Sequence, residues 1–270
     1  MNQVVIDRID PLVNPGQVPS PHVHQIVGGN AFNVTMPTDD VSQHASCTTC
    51  QFADDFSNYW TANLYFKARN GSYKRVPQGG AALQFNDRVQ HPDPGWYPGL
   101  LRLGPTGQDH GLQAGQFLPP PPPQMLGDGK NLDTAPTTQD HVAYPTSGPA
   151  NFLSLGGNCP ASHPVRIPQL MYEVVWDTTP FNNKAEWPAD GSQPFVLSTG
   201  DPTGLGQHGD YVFGWKDDSL QRAMDTSGCF GAQCASLRTQ NIETARACAV
   251  KQAAREDYDK WLPQLPGMSM

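Results

Sequence analysis

Residues 59–67 read YWTANLYFK, and this stretch decides the fold class. Aromatic and other β-forming residues dominate it, and such residues favour strands. The dipeptide Asn70-Gly71 follows closely and is typical of the tight turn that joins two antiparallel strands. Residues 72–76 are therefore expected to form the return strand of a hairpin.

Further short strands are predicted on both sides of this hairpin. They cover residues 3–9, 23–27, 81–85, 168–176 and 195–198. The chain contains 27 Pro and 26 Gly, which interrupt long helices and favour short strands joined by turns. The expected fold is mainly β, a single domain over residues 1–270 built as a β-sandwich or jelly roll.

Helices are expected only near the C-terminus. Residues 219–224 predict one or two helical turns. Residues 241–261 predict a longer C-terminal helix with Asn241 as its N-cap. Four apolar residues of this helix are spaced to face a core, namely Ile242, Ala245, Ala249 and Val250.

The charge pattern excludes two classes of partner. The net charge is −8, and no run of Lys or Arg is longer than two residues, whereas a nucleic-acid surface needs a basic stripe. No stretch approaches the roughly 18 apolar residues of a membrane span.

Residues 119–123 are five consecutive prolines, which favour polyproline II. They are interpreted as a stiff connector, with a docking segment as the alternative.

The cysteines and sequons favour a secreted protein. The chain has an even set of six cysteines, namely Cys47, Cys50, Cys159, Cys229, Cys234 and Cys248. Sequence alone cannot choose their pairing, although Cys248 could tie the C-terminal helix to the body. The Cys47-Thr-Thr-Cys50 motif lies in a polar loop, which favours a structural disulfide over a redox or zinc site. Two N-glycosylation sequons, beginning at Asn33 and Asn70, point to the same compartment. A signal peptide is expected to have been removed.

Residues 20–30, SPHVHQIVGGN, contain the most informative polar motif. His22 and His24 project from the same face if this segment is extended. Two imidazoles on one face can bind a metal ion or move a proton. Gly28 and Gly29 permit unusual backbone conformations or the close approach of a ligand. The alternative is a surface loop with two satisfied histidines.

Three more polar clusters lie on predicted turns, where rigid scaffolds usually display active groups. They cover residues 128–133 with Asp140 and His141, residues 162–166, and residues 200–210. Ordinary turn chemistry is the alternative interpretation for each cluster. Glu173 lies in an apolar strand, where a carboxylate requires a partner such as Arg166 or Arg8, or a cleft that shifts its pKa.

Two chemistries are consistent with convergence of the histidines. The first is a metal site, with copper, zinc or calcium as the possible ions and with His22, His24, His163 and His208 as the candidate ligands. The second is metal-free acid and base catalysis on a glycan, by hydrolysis or by elimination. The sequence does not decide between them.

Several longer blocks, taken together, resemble one known family. They include RIDPLVNPG, HVHQIVGGNAF, DGKNLD, CPASHPVRIPQLMYEVVWD and PFVLSTGDPTGLGQHGDYVFGW, within residues 8–267. They are similar to the fungal secreted family of the domain of unknown function numbered 1996. The resemblance implies secretion, disulfides and association with cell wall or biomass. Members have a cysteine shortly before the DGKNLD block that this chain lacks, so Cys159 is expected to pair differently.

We therefore expect a secreted, monomeric protein that cleaves an extracellular or cell-wall polysaccharide as a glycoside hydrolase or lyase. The alternatives are a copper or zinc protein that uses His22 and His24, or a non-catalytic wall protein. The candidate catalytic residues are His22, His24, His163, Glu173, His208 and Asp210. The candidate substrate-binding residues are Arg8, Asp10, Asn30, Asp128, Asn131, Arg166 and Trp215. Three other tryptophans, Trp60, Trp96 and Trp176, are candidates for stacking on sugar rings.

Overall fold

The computed structural model describes residues 1–86, 101–103, 126–127, 142–143, 146, 158–166, 169–227, 229 and 234–268. The prediction of a mainly β fold is confirmed, because short antiparallel strands dominate these residues and the helices are brief. Trp96, Asp128, Asn131, His141 and the proline run of residues 119–123 lie outside them.

The strands of the described residues are short. In order they are β1 (Val5–Asp7), β2 (His24–Gly28), β3 (Asn58–Ala62), β4 (Leu64–Lys67), β5 (Tyr73–Arg75), β6 (Gln78–Asn86), β7 (Leu101–Leu103), β8 (Leu126–Gly127), β9 (Val142–Ala143), β10 (Val165–Arg166), β11 (Gln169–Trp176), β12 (Phe195–Leu197) and β13 (Gly209–Val212). The helices are α1 (Ser219–Asp225) and α2 (Ile242–Ala247), with 3-10 turns at Val41–Gln43, Thr179–Phe181 and Lys184–Glu186.

The largest sheet has five strands in the order β1-β2-β3-β13-β7. All of its pairings are antiparallel, so residues that face each other across two strands share one face of the sheet. The other strands form a β12-β4-β5 sheet, a β10-β8-β9 sheet and the β6-β11 pair. The predicted strands at residues 3–9, 23–27, 81–85, 168–176 and 195–198 are all present, within a few residues at each end.

The stretch at residues 59–67 forms two strands, where one was predicted. The break falls at Asn63, whose backbone N–H donates to the carbonyl of Val23 at 3.1 Å and whose carbonyl accepts from Ser198 N–H at 2.7 Å. The chain thereby passes from the five-stranded sheet (β3) into the three-stranded sheet (β4). The predicted hairpin is confirmed, because β4 pairs with β5 around the Asn70-Gly71 turn.

Aromatic side chains fill the two larger cores. Phe66 of β4 stacks on Phe181 with ring centroids 4.7 Å apart. Trp60 of β3 meets the ring of Phe32 edge-on at 5.1 Å. Each fully buried side chain of this kind contributes about 1.5–3 kcal/mol through removal of apolar surface from water.

The predicted C-terminal helix is much shorter than expected. Its N-cap is confirmed, since Asn241 Oδ1 accepts from Thr244 N–H at 2.7 Å, but α2 ends at Ala247. Cys248 is bonded to Cys47, and Val250 N–H then donates to the carbonyl of Val4 at 2.9 Å. Covering the backbone beside the edge strand β1 therefore outweighs the local helix propensity. Of the predicted core-facing residues, Ala245 is buried, whereas Ile242 and Ala249 are exposed.

The cysteine pairing ties distant parts of the chain together. The disulfides are Cys47–Cys248 and Cys229–Cys234. Cys47 and Cys50 are therefore not bonded to each other, and Cys50 is a buried free thiol. Cys159 is also free. In the part of the chain that the structure describes, no helix has the length and apolarity needed to cross a membrane.

Candidate metal centre

The five-stranded sheet brings three histidines together. His24 begins β2 and lies opposite Ala62 of β3. Gly209 of β13 lies opposite Thr61, so continuing that register by one residue places His208 opposite Ala62 as well. His22 is two residues before His24 and so projects from the same side. Ala62, which lies between the strands of His24 and His208, has only a methyl side chain.

The three imidazoles are close enough to share one ion. The ring centroid of His22 lies 4.2 Å from that of His24 and 5.3 Å from that of His208. The centroids of His24 and His208 are 6.1 Å apart. One ring nitrogen from each residue lies within 4.8 Å of the other two. Zinc binds imidazole nitrogen at about 2.0–2.1 Å, so tetrahedral ligands lie about 3.3 Å apart, and a shift of about 1.5 Å closes the widest pair.

Backbone carbonyls fix the orientation of two of these rings. His24 Nδ1 lies 3.0 Å from the carbonyl oxygen of Ile9. His208 Nδ1 lies 2.9 Å from that of Gly206. A carbonyl only accepts hydrogen bonds, so in both rings Nδ1 carries the proton and Nε2 keeps a free lone pair. A ligating histidine in a metal site is usually held in this way.

In the described residues, the Nε2 atoms of His22 and His24 have no hydrogen-bond partner. Both atoms are buried. A buried polar atom without a partner costs about 1–3 kcal/mol, so a native structure rarely retains one without a reason. A bound ion would supply the missing partner to both nitrogens at once.

The loop that carries His208 is held by Asp201. The Asp201 carboxylate accepts from the backbone N–H of Thr203 at 2.7 Å and from that of Gly206 at 2.7 Å. Gly206 is the residue whose carbonyl orients His208. The turn at residues 200–206 therefore serves to position the imidazole that follows it.

Burial favours the neutral form of His22 and His24. Loss of hydration lowers the pKa of His22 to about 4, and the nearby His208 ring adds to the effect. Burial also lowers the pKa of His24 well below its ordinary value, with further contributions from His22 and His208. Neutral imidazole is the form that binds a metal ion, so these two residues do not have to lose protons near pH 7.

Two buried carboxylates accompany the histidines. Asp10 is 2% exposed, and its Oδ2 lies 4.0 Å from His24 Nε2. Asp210 is 1% exposed and lies opposite Trp60 in β13, two residues after His208 and on the same side of the sheet. Neither aspartate is a member of the three-histidine group, but Asp10 contacts its His24.

Several other candidate residues have structural contacts away from this cluster. Arg8 forms an ion pair with Glu256 at 3.0 Å. Asn30 Oδ1 accepts from the backbone N–H of Ser46 at 2.8 Å and so holds a loop. Trp215 is 1% exposed and packs 6.0 Å from the ring of Phe52, so it has no free face for a sugar.

The remaining candidate residues lie outside the three-histidine group, or their side chains are not described. His163 Nδ1 is 2.9 Å from the hydroxyl of Ser162, and His163 is not a member of the three-histidine group. Trp60 is buried and Trp176 is partly buried against apolar neighbours. Arg166 lies in β10 and Glu173 lies in β11 opposite Ala82, but their side chains are not described.

Sequence reasoning missed the groups that orient the site. No sequence motif marks the groups involved, which are the backbone carbonyls of Ile9 and Gly206 and the methyl group of Ala62. The DPTG turn at residues 201–204 was the one available signal, because a side-chain-capped turn implies a fixed loop.

The comparisons with known proteins identify the family. Residues 10–94 and 124–215 match the family described as Domain of unknown function (DUF1996). No curated protein and no solved structure was found to match the chain. The matched segments cover more than half of the 270 residues and include all three clustered histidines. The chain therefore belongs to the DUF1996 family.

Proposed function

We propose that this protein binds one transition-metal ion, zinc or copper, through Nε2 of His22, His24 and His208. The observation that carries the proposal is that one ring nitrogen from each of these three residues lies within 4.8 Å of the other two. The carbonyl contacts at Nδ1 of His24 and His208 and the unpartnered Nε2 atoms of His22 and His24 support it.

The ligand type favours zinc or copper over calcium. Imidazole nitrogen suits zinc and copper, whereas calcium takes six to eight oxygen ligands. His24 is fully buried, while His22 and His208 retain some exposure, so the ion would be reached from their side. Three protein ligands and one accessible position are typical of catalytic sites, in which the fourth ligand is water or substrate.

In this proposal the protein is exported and acts on an extracellular or cell-wall polysaccharide. The two disulfides are compatible with an oxidising compartment. The ion would polarise an oxygen atom of the substrate or activate a bound water molecule. The three imidazoles would hold the ion, and the buried position of His24 would keep bulk water from one side of it.

A second candidate function is metal-free cleavage of the same substrate class. It is favoured by one observation, the neutral and partly exposed His22 beside the carboxylate of Asp10. In this alternative His22 would accept a proton and a carboxylic acid would donate one to the leaving oxygen. Product release from a panel of fungal and plant glycans tests either activity. Inhibition by a chelator, reversed by one equivalent of zinc or copper, would favour the metal proposal, and indifference to the chelator would favour the alternative.

Elemental analysis tests the metal site itself. Metal-free protein is given two equivalents of zinc or copper and dialysed, and the retained ion is counted. We expect about one ion per chain in the unaltered protein and almost none in the His22→Ala/His24→Ala variant. The matched control is His44→Ala, because His44 is exposed and pairs with Asp39 at 2.8 Å. Equal retention by the double variant would overturn the proposal.

A further inference from the structure

We infer that Asp10 is a further protein ligand of the proposed ion, so that water or substrate would be a fifth ligand, and that it makes the site selective for a dication. This inference rests on the proposed function and adds to it the charge class of the ion. It concerns one oxygen atom, Asp10 Oδ2, and the three imidazole nitrogens of the proposed site.

The two oxygens of Asp10 have different surroundings. Oδ1 accepts from the backbone N–H of Leu12 at 3.2 Å and from that of Val13 at 3.1 Å, which closes a turn. Oδ2 is directed to the other side, 4.0 Å from His24 Nε2. Asp10 is not one of the three residues whose ligand atoms all lie within 4.8 Å of one another, so its printed proximity is to His24. Ligation by Oδ2 therefore requires the carboxylate to move toward the other two imidazoles.

Two consecutive residues, Ile9 and Asp10, lie beside the two ring nitrogens of His24. The carbonyl of Ile9 holds His24 Nδ1 at 3.0 Å, and the carboxylate of Asp10 faces Nε2 of the same imidazole. The segment is fixed further by the Asp10 turn and by Ser20 N–H, which donates to the carbonyl of Arg8 at 2.6 Å. The position of Asp10 relative to His24 is thus set by backbone structure and does not depend on a flexible side chain.

Asp10 is a buried carboxyl group beside one of the proposed histidine ligands. Asp10 is 2% exposed, and a buried carboxylate is costly unless a positive group lies beside it. In the described parts of the chain, its one ion-pair contact within 4.0 Å is with His24. Arg8 is the nearest arginine in sequence and is paired with Glu256. A dication between Asp10 and the imidazoles would provide the missing charge.

The same argument distinguishes between ions. A carboxylate is a hard, anionic ligand that adds most to the affinity for Zn²⁺ or Cu²⁺. Cu⁺ carries half the charge and is soft, so it gains little from an added carboxylate and is well served by neutral imidazoles. Removing the charge of Asp10 should therefore weaken dication binding selectively.

The test compares Asp10→Asn with the unaltered protein in a Cys159→Ser background, which removes a free thiol that would bind Cu⁺. Asparagine keeps the Oδ1 acceptor for the turn but removes the charge at the second position. The matched control is Asp190→Asn, because Asp190 Oδ1 also accepts one backbone N–H, from Ser192 at 3.0 Å, in an exposed turn. Affinities for Zn²⁺, and for Cu⁺ without oxygen, are measured by competition with chromophoric chelators.

We expect Asp10→Asn to lose at least about 10-fold in Zn²⁺ affinity and less than about threefold in Cu⁺ affinity. Asp190→Asn should change neither affinity. If Asp10→Asn does not fold, Asp10→Ser replaces it, since a serine hydroxyl can also accept from the turn.

The outcomes separate this inference from the proposed function. If the unaltered protein binds no ion, the three-histidine site itself is refuted. If it binds Zn²⁺ and the folded Asp10 variant binds equally tightly, the Asp10 inference is overturned and the histidine site stands. An equal loss for Zn²⁺ and Cu⁺ would also overturn it, because that pattern indicates a structural role.

Discussion

The metal-free protein should lose stability when the pH falls from 7 to 5, and His22 should account for a definable share. Burial lowers the pKa of His22 from 6.5 to about 4. Between these values the unfolded chain binds a proton at His22 and the folded chain does not, so acid favours unfolding. At 1.36 kcal/mol per pKa unit, the contribution lost between pH 7 and pH 5 is about 2 kcal/mol.

A buried carboxyl group works in the opposite direction. Burial raises the pKa of Asp55 from 3.8 to about 6. The folded chain therefore holds that proton more tightly, and stability rises by about 1 kcal/mol as the pH falls from 7 to 5. The pH profile of the unaltered protein contains the contributions of both His22 and Asp55. The prediction therefore concerns the difference in unfolding free energy between two chains.

His22→Gln isolates the histidine contribution because Asp55 is unchanged in both chains. Urea unfolding in the presence of a chelator, followed by tryptophan fluorescence at pH 7 and pH 5, gives the free energy of unfolding. The unaltered protein should lose about 2 kcal/mol more than His22→Gln over this interval. His44→Gln, an exposed histidine, should behave like the unaltered protein. Identical losses in the unaltered protein and His22→Gln would refute the description of His22 as buried and neutral.

Two further substitutions test how the chain is held together. Gly267 has φ +89°, and a Cβ there would lie 1.7 Å from the carbonyl oxygen of Pro21, whereas Gly191 has φ +76° and open space around it. Gly191→Ala should cost about 1–2 kcal/mol in thermal or urea unfolding, and Gly267→Ala should cost clearly more, with equal costs contradicting the packing described. The Cys47–Cys248 bond joins residues 201 positions apart. Replacing both cysteines with serine should reduce the free energy of unfolding by about 4 kcal/mol, and a change below about 1 kcal/mol would contradict its structural role.

The strands were predictable because their information is local. The aromatic and β-branched residues at 59–67 and 168–176 favour strand structure without reference to the rest of the chain. The break at Asn63 was not predictable, because it depends on backbone hydrogen bonds to Val23 and Ser198, which are remote in sequence. Likewise, the helix predicted to Trp261 stops at Ala247 because tertiary contacts of the following residues outweigh propensity.

The candidate site also has one part that local sequence predicts and another that depends on tertiary structure. The His22/His24 pair is a local pattern, since a spacing of two places both rings on one face of an extended chain. That His208 joins them follows from the pairing of β13 with β3, which no local pattern records. Asp10 was predicted to bind substrate, and its place beside His24 depends on the turn that its own carboxylate closes.

Crystallographic location of a bound ion tests the central claim most directly. Crystals of zinc-loaded protein are measured on both sides of the zinc absorption edge, and an anomalous difference map is calculated. We expect one strong peak per chain, about 2.0–2.1 Å from Nε2 of His22, His24 and His208. A peak elsewhere, or no peak in protein that was saturated with zinc, would contradict the account.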